Sequence, residues 1–411
     1  MSERTLTIRE LVELAYKYLP RNYDPPDDLV VSRGQGVLLY DVEDRVFVDL
    51  LSCYSALAPG HVHPQILKAI IRQAGKLTAN ANCLWEEQKI LCAKELAEFT
   101  GMDKVLFMTS GAEVFDSAVK LARKWAYTRK DVYTEKVVPK DQAEIVVCKN
   151  NFHGRTIGAI SASTVPQYYD LFGPPVPGFK KIPFGDARAF EEAINPNTAA
   201  IIVEPIQGEG GILVPPDGYL NDVRQICDAH HVLMILDEVQ TGLGRTGKMF
   251  AYMHDGSFPD AMLLGKGLGG GLGISAVVGI NELMDVFEPG DHGSTFGGNP
   301  LACAVAREEM HLLVRENLPQ RAAELGEFFI SELKNIYSPY IKEVRGRGLL
   351  VGIELRPEAG GAARFVDALR GERILCKDAH ENVIRFSPPL IIEKDVLKLA
   401  LIRIAKVFRT L

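Results

Sequence analysis

Apolar residues return along this chain with two different periods. Ile8, Leu11, Leu14, Ala15 and Tyr18 recur at helical spacing ahead of Pro20 and predict an opening amphipathic helix. VLLY (37–40) and RVFVDL (45–50) flank DVED and predict a small hairpin. From about residue 60 to 300, short apolar runs alternate with helical stretches: VLFM (105–108), IVVC (145–148), AAIIV (199–203), VLMIL (232–236), AMLL (261–264) and ISAVVGI (274–280). Continuous runs of this kind predict buried strands in a mostly parallel central sheet of an α/β fold. Phe115, Ala118, Val119, Ala122, Trp125 and Ala126 make one apolar stripe at helical spacing, so a helix follows the first of these strands. After about residue 305, a long helical segment leads to VRGRGLLVGIEL (344–355), to short strands around ILCK (374–377) and VIRF (383–386), and to a final helix. The expected organisation is a large domain over 56–304 and a smaller α+β domain over 305–411, joined by the N-terminal segment 1–55.

Composition narrows the class without naming a function. Of 411 residues, 47% are hydrophobic and 24% charged, which is ordinary globular usage. Lys and Arg number 46 against 53 acidic residues, and a net charge of −7 gives no general attraction for a phosphate backbone, so nucleic acid is not an expected partner. No run of 18 apolar residues occurs, and MSERTLTIREL lacks the apolar core of a secretory signal. The expectation is a cytoplasmic protein without a membrane partner. Seven cysteines, none spaced as C-x-x-C, suit a reducing compartment and argue against a disulfide framework or a structural zinc site.

In open α/β sheets ligands gather outside the carboxyl ends of the strands. The residues there are Ser110-Gly111-Ala112 after the first run, Glu204 after the third, Asp237-Glu238-Val239-Gln240 after the fourth and Gly265-Lys266 after the fifth. Ser110-Gly111-Ala112 opens a helix and reads either as an ordinary serine cap or as an anion cradle of backbone N–H groups. Asp237 reads as a salt-bridged structural acid or as the partner of a protonated ring nitrogen. Lys266, inside LLGKGLGGG, reads as a surface lysine, a phosphate ligand or a Schiff-base nucleophile, the surrounding glycines leaving room for a flat ring. The DEVQ run also fits the acidic pair of a nucleotide-hydrolysing motor, but no G-x-x-x-x-G-K-[ST] loop accompanies it. His61 and His63 form an H-x-H pair without further ligands nearby, so no metal site is expected.

SGAEVFDSAVKLARKW, FHGRTIGAISAST, VEPIQGEGGILVPP, LDEVQTGLGRTGK, LLGKGLGGG and HGSTFGGNPLAC, in that order, resemble the class III pyridoxal-phosphate aminotransferases over nearly the whole chain. NYDP, LLSCYSALAPGHVHP, RGRGLLVGIEL and VIRFSPPLII resemble the ornithine aminotransferase branch of that family. The resemblance implies fold type I, a homodimer with active sites at the subunit interface, and pyridoxal 5′-phosphate held covalently by Lys266. It further implies that Asp237 pairs with the pyridine nitrogen, that Gly111 and Ala112 cradle the phosphate, that Phe152 stacks on the ring and that Gln240 contacts the phenolic oxygen. Thr295 is implied to reach the phosphate across the dimer interface, and Lys266 to serve as the proton-moving base.

The same resemblance implies that Arg155 holds the α-carboxylate of ornithine, that Tyr23 and Tyr54 shape the distal pocket, and that Glu209 masks Arg385. A masked guanidinium makes no demand on ornithine's δ end, whereas an unmasked one grips the α-carboxylate of glutamate or 2-oxoglutarate. The substrates implied are ornithine and 2-oxoglutarate, giving glutamate semialdehyde and glutamate. Acetylornithine, 4-aminobutyrate or lysine as the donor is the alternative, and a non-catalytic relative of the fold is a further one. Read without the resemblance, Arg155 and Arg385 fit structural or surface ion pairs, and Tyr23 and Tyr54 fit core aromatics.

Three departures from the family pattern stand out. NANCLW puts Asn82 where an arginine is usual, EVFDS puts Phe115 and Asp116 in the first turn after the phosphate loop, and His153 stands where some relatives carry tryptophan.

Overall fold

A computed structural model describes residues 6–129 and 137–411, so the first five residues of the MSERTLTIREL opening lie outside the described residues. The opening helix is present at Ile8–Tyr18, started by a capping box between Thr7 and Glu10. Its apolar stripe is mostly uncovered: only Ile8 is buried, and Leu14 and Tyr18 are exposed. The hairpin follows as β1 (Val31–Gln35), β2 (Leu38–Asp41) and β3 (Val46–Asp49), paired antiparallel in that order.

Seven strands form the central sheet: β4 (Lys104–Met108), β5 (Glu144–Cys148), β6 (Phe179–Ile182), β7 (Thr198–Val203), β8 (Leu233–Asp237), β9 (Ala261–Leu264) and β10 (Ser275–Gly279). Their spatial order is β4-β10-β9-β8-β7-β5-β6. β10 alone runs antiparallel to its neighbours, so the sheet is mostly parallel as its continuous apolar runs require. Every residue of β7, β8, β9 and β10 is buried, with apolar clusters on both faces. β6 escaped the sequence reading because FKKI has two lysines; it is one of the sheet's two edge strands, with one side left unpaired.

The predicted stripe beginning at Phe115 belongs to the helix Gly111–Thr128, which packs against the sheet through Phe115, Ala118 and Ala122. The single long helical segment expected after residue 305 is two helices, Pro300–Arg315 and Leu318–Lys334. The break falls at Asn317, whose left-handed backbone (φ 49°) turns the chain before Pro319 enters the next first turn.

β11 (Ile341–Arg347) and β12 (Leu350–Leu355) form a hairpin. The ILCK run divides between two sheets: β13 (Ile374–Leu375) pairs parallel with β3, while β14 (Lys377–Ala379) pairs with β15 (Val383–Phe386), which lies beside β12. The last helix is Lys394–Thr410.

Arg245 fastens these parts together. Its Nη1 donates to the carbonyls of Leu349 (3.1 Å) and Pro388 (2.5 Å), and its Nη2 lies 3.5 Å from Ser52 Oγ. Complete burial brings this guanidinium down to about 9. The seven cysteines carry free thiols, five of them buried. Among the described residues, no helix is long and apolar enough to cross a membrane, and no group of three or more His, Cys, Asp or Glu could hold a metal ion.

Candidate active site

The carboxyl ends of β4, β5, β7, β8 and β9 open onto one cavity of about 170 Å³, which includes Gly111, Phe152, Glu204, Asp237 and Lys266 in its lining. Ser110 does cap its helix: its hydroxyl accepts the Glu113 N–H, while Glu113 takes the Thr109 and Ser110 amides. The serine-cap reading holds, and it is compatible with the anion-cradle one, because the cap leaves the next two amides, of Gly111 and Ala112, without an intrahelical acceptor at the cavity wall. Gly154 closes against this loop with φ 129°, and a Cβ there would stand 2.4 Å from Ala112 Cβ. Only glycine fits this approach, which delivers Phe152 and Arg155 to the two sides of the bend.

Asp237 ends β8 in a buried network. His153 Nδ1 lies 2.6 Å from its Oδ2, and the Val239 N–H donates to its Oδ1 at 3.1 Å. A carboxylate only accepts, so an imidazole proton sits on Nδ1, and the buried Nε2 has no partner among the described residues. Burial on its own would lower the imidazole's pKa, but hydrogen bonding and charge from Asp237 raise it. His153 also stacks on Phe115, with ring centroids 4.6 Å apart and planes within 6°. Two of the sequence's departures thus meet face to face. Glu238 turns away from the cavity, taking the Thr241 hydroxyl and the Tyr252 amide, which removes it from any metal-binding pair with Asp237.

Lys266 follows β9 with its backbone in the left-handed region (φ 41°), an uncommon conformation for a residue with a side chain. Burial, joined by the charge of Arg385, outweighs Asp237, Glu209 and Glu204, and the amine comes down to about 8. The surrounding glycines do something other than the room-making expected of them. A Cβ at Gly265 would lie 3.3 Å from Val239 Cγ1, one at Gly269 3.3 Å from Ile274 Cγ2, and one at Gly270 3.2 Å from Val305 Cγ1. Protein atoms fill that space, so the glycines seat the lysine loop tightly on its own scaffold. Glu204, pushed up to about 7 by burial, accepts the Phe152 N–H at 2.9 Å and so fixes the ring that walls the cavity.

On the substrate side, Glu209 Oε2 meets Arg385 Nη1 at 2.6 Å. The Arg385 guanidinium lies 5.5 Å from the Tyr54 ring centre, and its Nε and Nη2 are buried without partners among the described residues. Burial raises the Tyr54 phenol, and Tyr23 is among the neighbours that add to it. Tyr23 itself is 77% exposed and outside the cavity lining. Gln240 is in the lining, its Nε2 3.4 Å from Ser55 Oγ. Thr295 is not: it lines a separate open cleft with Asn82, Ser294 and Phe296. Asn82 donates to the Ser294 carbonyl (2.5 Å) and accepts from Lys89 Nζ (2.7 Å), so it braces the loop that carries Thr295. Sequence reasoning missed Tyr168, which neither follows a strand directly nor belongs to a charged pattern, so it left no signal.

This donor set fits pyridoxal phosphate: two free helix-start amides for a phosphate, a buried carboxylate for a ring nitrogen, an aromatic wall for the ring, and a buried amine of lowered pKa for the aldehyde. Comparison with known proteins agrees. The family model "Aminotransferase class-III" matches residues 18–408. Ornithine aminotransferase of Geobacillus sp. (strain WCH70) is 48% identical over 400 residues, covering 97% of this chain and 98% of that protein. A Toxoplasma gondii ornithine aminotransferase structure with partial occupancy of PLP at its active site superposes with a TM-score of 0.95 at 43% identity, covering 99% of this chain and 95% of that one. Acetylornithine aminotransferase of Elizabethkingia anophelis superposes with a TM-score of 0.88 at 39% identity, covering 99% and 100%. With the fold, the crevice and these relatives in agreement, the chain belongs to the class III aminotransferases, enzymes that transfer amino groups with pyridoxal phosphate.

Proposed function

We propose that this enzyme transfers the δ-amino group of L-ornithine to 2-oxoglutarate, giving glutamate 5-semialdehyde and glutamate. The observation that carries the reading is the Glu209–Arg385 pair. An exposed-side carboxylate covering a buried guanidinium lets one cavity take a substrate whose far end is a cation and then one whose far end is a carboxylate. The ornithine aminotransferases that resemble the chain at 47–48% identity support the same donor.

In this reading Gly111 and Ala112 hold the cofactor phosphate, Phe152 covers one ring face, Gln240 meets the phenolic oxygen and Asp237 holds the ring nitrogen. Bound pyridoxal phosphate supplies an electron-withdrawing ring for the pair released when a C–H bond at the amine-bearing carbon breaks. Lys266 Nζ, half neutral near pH 8, takes that proton and returns it. His153 keeps Asp237 in place through the Nδ1 bond. Arg155 receives the α-carboxylate of ornithine, and Tyr23 and Tyr54 close the distal side. When the keto acid enters, Glu209 swings off Arg385, whose unpartnered Nε and Nη2 are free to fork onto the α-carboxylate.

The working form is a homodimer. Trp85 is 93% exposed, and Leu67, Ile71 and Phe296 are also exposed in a single subunit, apolar surface that a second copy would cover. Thr295, outside the Lys266 cavity of its own chain, then serves the partner's phosphate site. Free thiols suit a cytoplasmic location.

Initial rates with ornithine, N-acetylornithine, 4-aminobutyrate and lysine, each against 2-oxoglutarate, test the donor. Ornithine is expected to be fastest; faster turnover of any other donor rejects it. Sedimentation should give twice the monomer mass, and a monomer that retains full activity would reject the shared site.

A further inference from the structure

The two arginines of the substrate side are held in different ways. Arg385 has a carboxylate partner, Glu209. No carboxylate pairs with Arg155 among the described residues; its guanidinium carbon instead lies 3.8 Å from the ring centre of Tyr168 and 5.5 Å from that of Phe152. Tyr168 meets Phe152 edge to face, with centroids 5.7 Å apart and planes at 83°. The three groups form a chain that begins at Phe152 in the wall of the cofactor cavity.

Tyr168 is itself well placed to hold something still. It lies on the short helix Pro166–Tyr169, between β5 and β6. The chain leading into that helix is fastened by the Asn150 N–H to Thr164 Oγ1 (2.9 Å) and by Lys181 Nζ to the Ser163 carbonyl (2.7 Å). Tyr168 is half-buried, and burial raises its phenol, with Glu209 adding to the rise and Arg155 and Arg385 opposing it. It therefore stands among all the charged groups of the substrate side.

A carboxylate that held Arg155 would compete with the substrate's own carboxylate. An aromatic face attracts the cation through its quadrupole and sets no competing carboxylate on the guanidinium. We propose that Tyr168 is the positioning residue that holds Arg155 for the carboxylate each substrate presents away from its reacting carbon, the α-carboxylate of ornithine and the distal carboxylate of 2-oxoglutarate, and so sets the affinity of both half-reactions together. The proposal rests on Arg155 as the carboxylate-binding residue. It contrasts with Glu209, whose effect falls in opposite directions on the two substrates.

The test compares Tyr168→Phe, which keeps the ring, with Tyr168→Leu and Tyr168→Gln, which remove it. In the ring-deleted holoenzymes KM for ornithine and for 2-oxoglutarate should rise in parallel by about five- to thirty-fold, the range expected for a partly desolvated cation–π contact. In the same proteins kcat should stay within about twofold, and Tyr168→Phe should match the parent within about twofold in both constants. Equilibrium binding of glutarate, a dicarboxylate that cannot react, should weaken by the same factor as KM. Arg155→Met separates the two layers of the argument. If it leaves both KM values unchanged, the carboxylate role of Arg155 falls and Tyr168's role with it. If it raises them while the ring-deleted variants do not, or if those variants lower kcat alone, the proposal for Tyr168 is overturned and Arg155 stands.

Discussion

Glu209 Oε2 sits 2.6 Å from Arg385 Nη1, and the two sides of the pair differ: the arginine side chain is 1% exposed and the glutamate 29%. The guanidinium is fixed and the carboxylate is the part able to leave. Glu209→Ala should therefore lower KM for 2-oxoglutarate and raise KM for ornithine. The ratio should change by about tenfold or more, as expected for a charge-assisted hydrogen bond of roughly 1.5–3 kcal/mol. Steady-state kinetics with both substrates check this, and parallel changes in the two constants would remove the masking role.

Lys266 in the cofactor-free protein should be a stronger nucleophile than a surface lysine. Its amine is brought down to about 8 by burial and by Arg385, so the neutral fraction grows as pH rises through that value and saturates above it. The rate of covalent capture of pyridoxal phosphate, followed by absorbance and by borohydride trapping, should climb between about pH 7 and 9 and then level. Lys266→Ala should give no trapped peptide; a tag on another lysine would contradict the assignment.

His153→Phe keeps a flat ring against Phe115 and deletes the Nδ1 bond to Asp237. Cofactor affinity and turnover should both fall. The imidazole's pKa is raised above 6.5 in the fold, so its contribution to stability is fully present below that pH and is lost as pH rises through the higher folded value. The stability gap between the parent and variant apoproteins, read from chemical denaturation, should thus be widest in acid, roughly 1.5–3 kcal/mol, and should narrow in alkali. A gap that widens with pH would refute the pairing.

Glu309, on the helix Pro300–Arg315, is buried with neither carboxyl oxygen hydrogen-bonded among the described residues, and burial pushes it up to about 8. The folded state keeps a proton that the unfolded chain releases above 4.5, so stability falls as pH climbs from 4.5 to about 8. Glu309→Gln removes that loss. It should raise stability at pH 8 by on the order of a few kcal/mol, read as a higher melting temperature, with little gain at pH 5. Equal gains at both values would show the carboxyl to be paired.

Much of this was legible in the sequence, for identifiable reasons. Strands buried on both faces have to be apolar throughout, so β4, β5, β7, β8, β9 and β10 announced themselves, and the residues that follow them had to meet at one edge. Edge strand β6 and the break at Asn317 were less visible, because each depends on which neighbours a segment acquires. The glycines around Lys266 were misread for a similar reason: sequence reveals a missing side chain, not what moves into the space. Phe115 and His153 looked like separate oddities, yet they compensate one another through a stack that no local pattern encodes. Tyr168 was silent because its importance comes from the arginine above it.

The pairing of β13 with β3, and the Ser52 hydroxyl donating at 2.5 Å to the Ser387 carbonyl 335 positions away, have a consequence in time. At ribosomal speeds of about 5–20 residues per second, the early hairpin waits roughly 20 to 70 seconds for the segment that completes it. Lys266 and Asp237 leave the ribosome well before Arg385. The buried guanidinium that Glu209 covers is therefore among the last parts of the crevice to be synthesised, long after the lysine loop.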